Sequence, residues 1–67
     1  MKFLIKNKAT GATIGTFEAS DADRAVDAMA HNLSYDNFRT LCSAINPANV
    51  ETEMARRRAD LVIEAVK

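Results

Sequence analysis

Apolar and polar side chains alternate along two runs at the start of the chain, Lys2 to Lys8 and Ala12 to Glu18, separated by Ala9-Thr10-Gly11. A period of two marks strands with one buried face. A three-residue connection ending in glycine suits a type I turn followed by a left-handed residue. Pairing Lys8 with Ala12 sets Ile5 opposite Gly15, Phe3 opposite Phe17 and Lys2 opposite Glu18. One face of this β-hairpin then carries Phe3, Ile5 and Phe17. The other carries Lys2, Lys6, Thr16 and Glu18 around Leu4 and Ile14. Aromatic and opposite-charge cross-strand pairs each contribute roughly 0.2–1 kcal/mol. Gly15 leaves a gap in the apolar face that another element can approach closely.

Beyond the hairpin the period lengthens. Ala22, Ala25, Val26, Met29 and Leu33 recur at three- and four-residue steps, with Asp21, Arg24, Asp27 and His31 on the opposite side. This pattern predicts an amphipathic helix over residues 21–32, with Ser20 as N-cap and Asn32 as the left-handed residue at its end. Tyr35, Phe38, Leu41, Cys42 and Ile45 trace a bulkier second stripe, which Ser34 can cap and which Pro47 ends near residue 45. Asn46-Pro47 or Asn49 can start a short third helical piece running through Met54 to about Arg58.

The tail admits two readings. Leu61-Val62-Ile63 would spread around most of a helix, and three β-branched residues within 61–66 fit a strand better. On a strand, Leu61, Ile63 and Ala65 share one face while Val62, Glu64 and Val66 share the other. One long helix from 50 to 66 is the competing reading. The expected fold is a single α+β domain over residues 1–67, ββααβ in order, with an N-terminal hairpin, two short amphipathic helices packed on one face of the sheet and a C-terminal strand.

Length sharpens this picture. Sixty-seven residues are near the lower limit for folding without help, and Cys42 is the only cysteine. With neither a disulfide nor zinc-type spacing, the chain must pack its core well or associate with itself. Nine basic and nine acidic residues cancel, which argues against a protein built to coat nucleic acid or an anionic membrane. The charge is nonetheless uneven, with three lysines and no acid in residues 1–17, and five acids with one arginine in residues 18–36. No apolar run is long enough for a membrane span, and MKFLIKNK is too quickly polar for a signal peptide. A cytoplasmic location is expected.

Candidate chemistry is sparse. His31 has no partner at a catalytic spacing, and Cys42 lies on an apolar stripe where a packing role is usual. Asp21, Asp23 and Asp27 lack the spacing of a calcium loop, and acids in an opening helical turn complement the helix dipole. Gly11 and Gly15 form no phosphate-binding loop. No catalytic residue, cofactor or metal site is therefore expected, and the chain is not expected to be an enzyme.

Two surfaces remain. Arg56-Arg57-Arg58, with Lys2, Lys6, Lys8 and Lys67, would make a phosphate-contacting surface if the tail lay beside the hairpin. Against that, Glu51, Glu53, Asp60 and Glu64 bracket the arginines, and three consecutive helical residues fan over about 200°. The uncovered sheet face would gather Leu4, Ile14, Val62 and Val66, a candidate protein contact. The expected function is thus a non-enzymatic protein-interaction or regulatory module whose partner is another protein or a second copy of itself. A nucleic-acid-binding accessory protein is the alternative. In style the chain is similar to small bacterial and phage reading frames, and a phage- or mobile-element-encoded inhibitor of a host protein belongs to the same class.

Overall fold

The computed structural model describes residues 1–66; Lys67 lies outside the described residues. The elements run β1 (Lys2–Asn7), β2 (Thr13–Glu18), α1 (Ala22–Asn32), α2 (Phe38–Ile45), α3 (Val50–Ala59) and β3 (Leu61–Val66). The expected α+β architecture is present, with three helices rather than two among the described residues. The strands form one antiparallel sheet in the order β2-β1-β3.

The hairpin reaches its expected register by a different route. Asn7, not Lys8, closes the loop, its N–H donating to the Ala12 carbonyl at 2.8 Å. The Asn7 side chain also accepts from the N–H groups of Ala9 (2.9 Å) and Thr10 (3.1 Å), and Gly11 takes the left-handed conformation at φ 72°. This turn starts one residue earlier than expected, which alone would shift every pair. A bulge at Ile14 restores the register, so Ile5 faces Gly15, Phe3 faces Phe17 and Lys2 faces Glu18. Lys8 instead donates its N–H to the Asp60 carbonyl at 2.7 Å, extending the β1–β3 ladder. The gap at Gly15 is filled from within the strand, because a Cβ there would meet the Phe17 ring at 3.1 Å.

Helix α1 begins one residue later than its Ser20 cap would place it. Asp21 is the N-cap, and its carboxylate accepts from the Arg24 N–H at 2.8 Å. Its C-terminus corrects two further expectations. Asn32 stays helical, and Ser34 takes the left-handed position at φ 75°. The N–H groups of Ser34 and Tyr35 donate to the carbonyls of His31 and Ala30, both at 3.0 Å, which closes a Schellman motif. Ser34 is thus used up ending α1. Asn37 caps α2 in its place, accepting from the Thr40 N–H at 2.8 Å. Asn49 caps α3, as one of the two expected starts had it.

All three helices lie on the sheet face that carries Phe3 and Ile5. Helix α1 packs directly on the strands, and α2 bridges α1 and α3. The core gathers Phe3, Ile5, Ala25, Val26, Met29, Ala30, Phe38, Leu41 and Cys42, with Leu61 and Ile63 packed at its margin. Leu33 and Ile45, expected inside, are 54% and 44% exposed, each at the C-terminal end of its helix.

Candidate functional site

The open face of the sheet is built from alternate residues of all three strands. Across it, Lys2 stands between Glu18 and Val66, Leu4 between Thr16 and Glu64, and Lys6 between Thr13 and Val62. Leu4 and Val62 are half-buried by these neighbours, and Val66 is 41% exposed. Leu4 meets Val62 and Val66 only on the diagonal, within reach of apolar contact. Ile14 is not part of this group. The bulge turns it toward the helices, where it lines a depression with Met29, Leu33, Phe38, Leu41 and Leu61. Three apolar residues thus remain on this face, Leu4 on the middle strand and Val62 and Val66 on the edge strand, interspersed with two lysines and two glutamates.

The arginine cluster is divided among carboxylates. Arg56 Nη2 lies 3.0 Å and 2.9 Å from the two oxygens of Glu53, and Arg57 Nε lies 2.5 Å from Glu53 Oε2. Glu53 is only 3% exposed, a buried carboxylate where the sequence suggests a flanking surface charge. The hydrogen bond from Arg56 holds its carboxyl below the usual range; burial opposes this and Arg57 reinforces it. Arg58 pairs with Asp23 of α1 at 3.6 Å. Lys2 and Lys6 stand on the open face of the sheet, whereas the arginines belong to the helical layer behind it. The six candidate phosphate contacts, Lys2, Lys6, Lys8, Arg56, Arg57 and Arg58, do not converge on one surface. A signal for Glu53 is present in the sequence, since it falls in step with Val50, Met54 and Arg57 on one side of α3.

The three aspartates weighed for chemistry have structural employment. Asp21 caps α1, Asp23 meets Arg58, and Asp27 accepts the N–H of Phe38 at 3.1 Å, tying α1 to the first residue of α2. No cluster of metal-ligating residues occurs among the described residues. Cys42 is fully buried, and burial pushes its thiol up, away from the reactive thiolate. His31 is exposed in the last turn of α1.

A cleft of about 500 Å³ opens between α1 and α3, with Val26, Phe38 and Met54 as its floor and Asp23, Asp27, Glu51 and Arg58 around it. Its charges are engaged, Glu51 by Arg39 of α2 and the others as above. Among the described residues, no helix is long and apolar enough to cross a membrane. Compared with protein-family models, with curated proteins and with solved structures, the chain finds no match.

Proposed function

We propose that this chain is a non-enzymatic protein-interaction module that docks a partner through its sheet. The observation that carries this reading is the one-sided cover, with three helices on one face and Leu4, Val62 and Val66 on the other, among Lys2, Lys6 and Glu64. An antiparallel sheet tolerates a solvated face, and that face is ordinarily polar. Here Leu4 stands at the centre beside Lys2, Lys6 and Glu64, with Val62 and Val66 on the edge strand, so apolar and charged side chains are interspersed as on a protein-contact surface. A regulator or inhibitor of this size acts by occupying a partner's surface, so docking is its whole mechanism.

Leu4→Lys tests the reading, because residue 4 lies between Thr16 and Glu64, where an ammonium is well received. Burying a leucine contributes roughly 1.5–3 kcal/mol, so retention of the partner by the variant should fall about tenfold or more. A folded Leu4→Lys protein that retains the same partners as the parent would sink the proposal. Nucleic-acid binding that weakened steeply with rising salt would transfer it to the phosphate-binding alternative.

A further inference from the structure

Among the described residues the sheet has two free edges, and they differ. Strand β2 carries the Ile14 bulge and Gly15, and its last residue, Glu18, pairs with the chain's amino group at 2.8 Å. Bulges turn an edge away from further pairing. Strand β3 is regular along its whole length against β1, with neither glycine nor proline, and Glu64 is its one charged residue. Such an edge is open to a further strand.

The direction of its hydrogen bonds follows from one contact. The Lys8 N–H donates to the Asp60 carbonyl, and the same register continues through Lys6–Val62, Leu4–Glu64 and Lys2–Val66. Bonding direction alternates along an antiparallel strand. Residues 60, 62, 64 and 66 therefore bond to β1, and the N–H and C=O groups of Leu61, Ile63 and Ala65 point out from the edge. The side chains of Leu61 and Ile63 are only half covered by the helices, and Ala65 is exposed.

We propose that this edge pairs with the same edge of a second copy, antiparallel, about a two-fold axis at Ile63, giving one six-stranded sheet across two chains. The inference rests on the reading of the chain as an interaction module and names a second copy as a partner. Charge selects the axis. At Glu64 the axis would set two carboxylates face to face, and at Val62 it would oppose Asp60 to Glu64 twice; like charges directly opposite are destabilising. At Ile63 it sets Val62 against Glu64 of the second copy, Asp60 against Val66 and Leu61 against Ala65. Axes farther out pair fewer residues.

Each outward-bonding pair exchanges two hydrogen bonds, so the three pairs supply about six. Ile63 meets Ile63 of the second copy on the helical side, covering apolar surface that one chain leaves half open. The assembly also closes. Both β3 edges are consumed, and the edges left over are the bulged β2 strands, so the product is a pair and not a filament.

Sedimentation of the parent across micromolar concentrations should give a mass of about twice 7.3 kDa. Ala65→Pro removes an outward donor and leaves every bond to β1 in place; it should yield a folded monomer. A parent that stays monomeric throughout, or a folded Ala65→Pro protein that still pairs, overturns the proposal. Because proline can disturb the strand itself, a cysteine pair gives an independent reading. Facing residues in a non-hydrogen-bonded pair have Cα atoms about 4.5 Å apart, within disulfide reach. The V62C/E64C double variant should cross-link into dimers on oxidation, and neither single variant should. Cross-linking by V62C alone or by E64C alone would overturn the Ile63 axis. Leu4→Lys alters the middle strand and leaves the edge intact. A monomeric parent whose partner retention still depends on Leu4 would therefore remove the dimer and keep the proposed function.

Discussion

Ser34 shows how one residue can hold a conformation against its own preference. Its N–H completes the end of α1 only if the backbone turns left-handed, and a Cβ in that region costs about 1–2 kcal/mol. Glycine removes the cost. Ser34→Gly should therefore raise the melting temperature, by about 4–8 °C for each kcal/mol regained in a domain this small, as calorimetry would measure; an unchanged or lower value would mean that the serine side chain contributes something the backbone geometry does not account for. Phe38 is the opposite case, a residue whose side chain matters most. It is 5% exposed at the meeting of α1, α2 and α3, and its N–H is held by Asp27. Phe38→Ala should cost about 3–5 kcal/mol, enough to leave much of the protein unfolded in a urea titration. A midpoint close to the parent's would show that the core closes over the missing ring.

At the scale of the element, α3 is held in place by charge as well as by Val50 and Met54. Arg56, Arg57 and Arg58 as exposed ion pairs would contribute about 0–1 kcal/mol, and their loss would barely alter folding. The buried Glu53 changes that expectation. Arg56→Gln with Arg57→Gln strands a carboxylate that is cut off from water, whereas Glu53→Met removes the charge and fills the space with apolar volume. The double arginine variant should melt lower than Glu53→Met, although it deletes two charges from the surface and the other deletes one from the interior. The reverse order would mean that Glu53 reaches water. The difference should also depend on pH. Arg56 and Arg57 lower the carboxyl's pKa in the folded protein, so its stabilisation is present above the ordinary value of 4.5 and is lost as the pH falls through the lower folded value. Melting temperatures of the parent and the arginine variant should accordingly draw together in acid.

For the whole molecule, Glu18 adds to the same trend. The hydrogen bond from the amino terminus lowers its carboxyl, fastening the end of β2 to the start of β1. Both carboxyls shift downward, so the protein should lose stability as the pH drops below about 4.5 and change little from there to neutrality; a melting temperature that rose on acidification would contradict this. Many of the elements are legible in the chain itself. The strands, the span of α1, the end of α2 and the C-terminal strand follow from periodicity and from β-branched content, which are local properties. The face of the sheet assigned to Leu4, Val62 and Val66 follows as well, because a strand's alternation persists as long as its register does. Ile14 breaks that logic, since a bulge adds one residue without leaving a composition of its own.

Side-chain pattern alone specifies the hairpin, the first two helices, a strand in preference to a helix at 61–66, and the inward set Phe3, Ile5, Phe17, Leu61 and Ile63. These depend on side-chain type and spacing, which are complete in one dimension. Contacts between elements fix the rest: the turn begins at Asn7 and Ile14 bulges, Ser34 ends one helix instead of starting the next, and Arg56 and Arg57 close on a buried Glu53. They also fix which strand edge is left regular and, among the described residues, unpaired. In each instance a partner distant in the chain takes part, which a local pattern does not carry: Asp60 for Lys8, Asp27 for the start of α2, and the packing of α2 against α3 for the burial of Glu53.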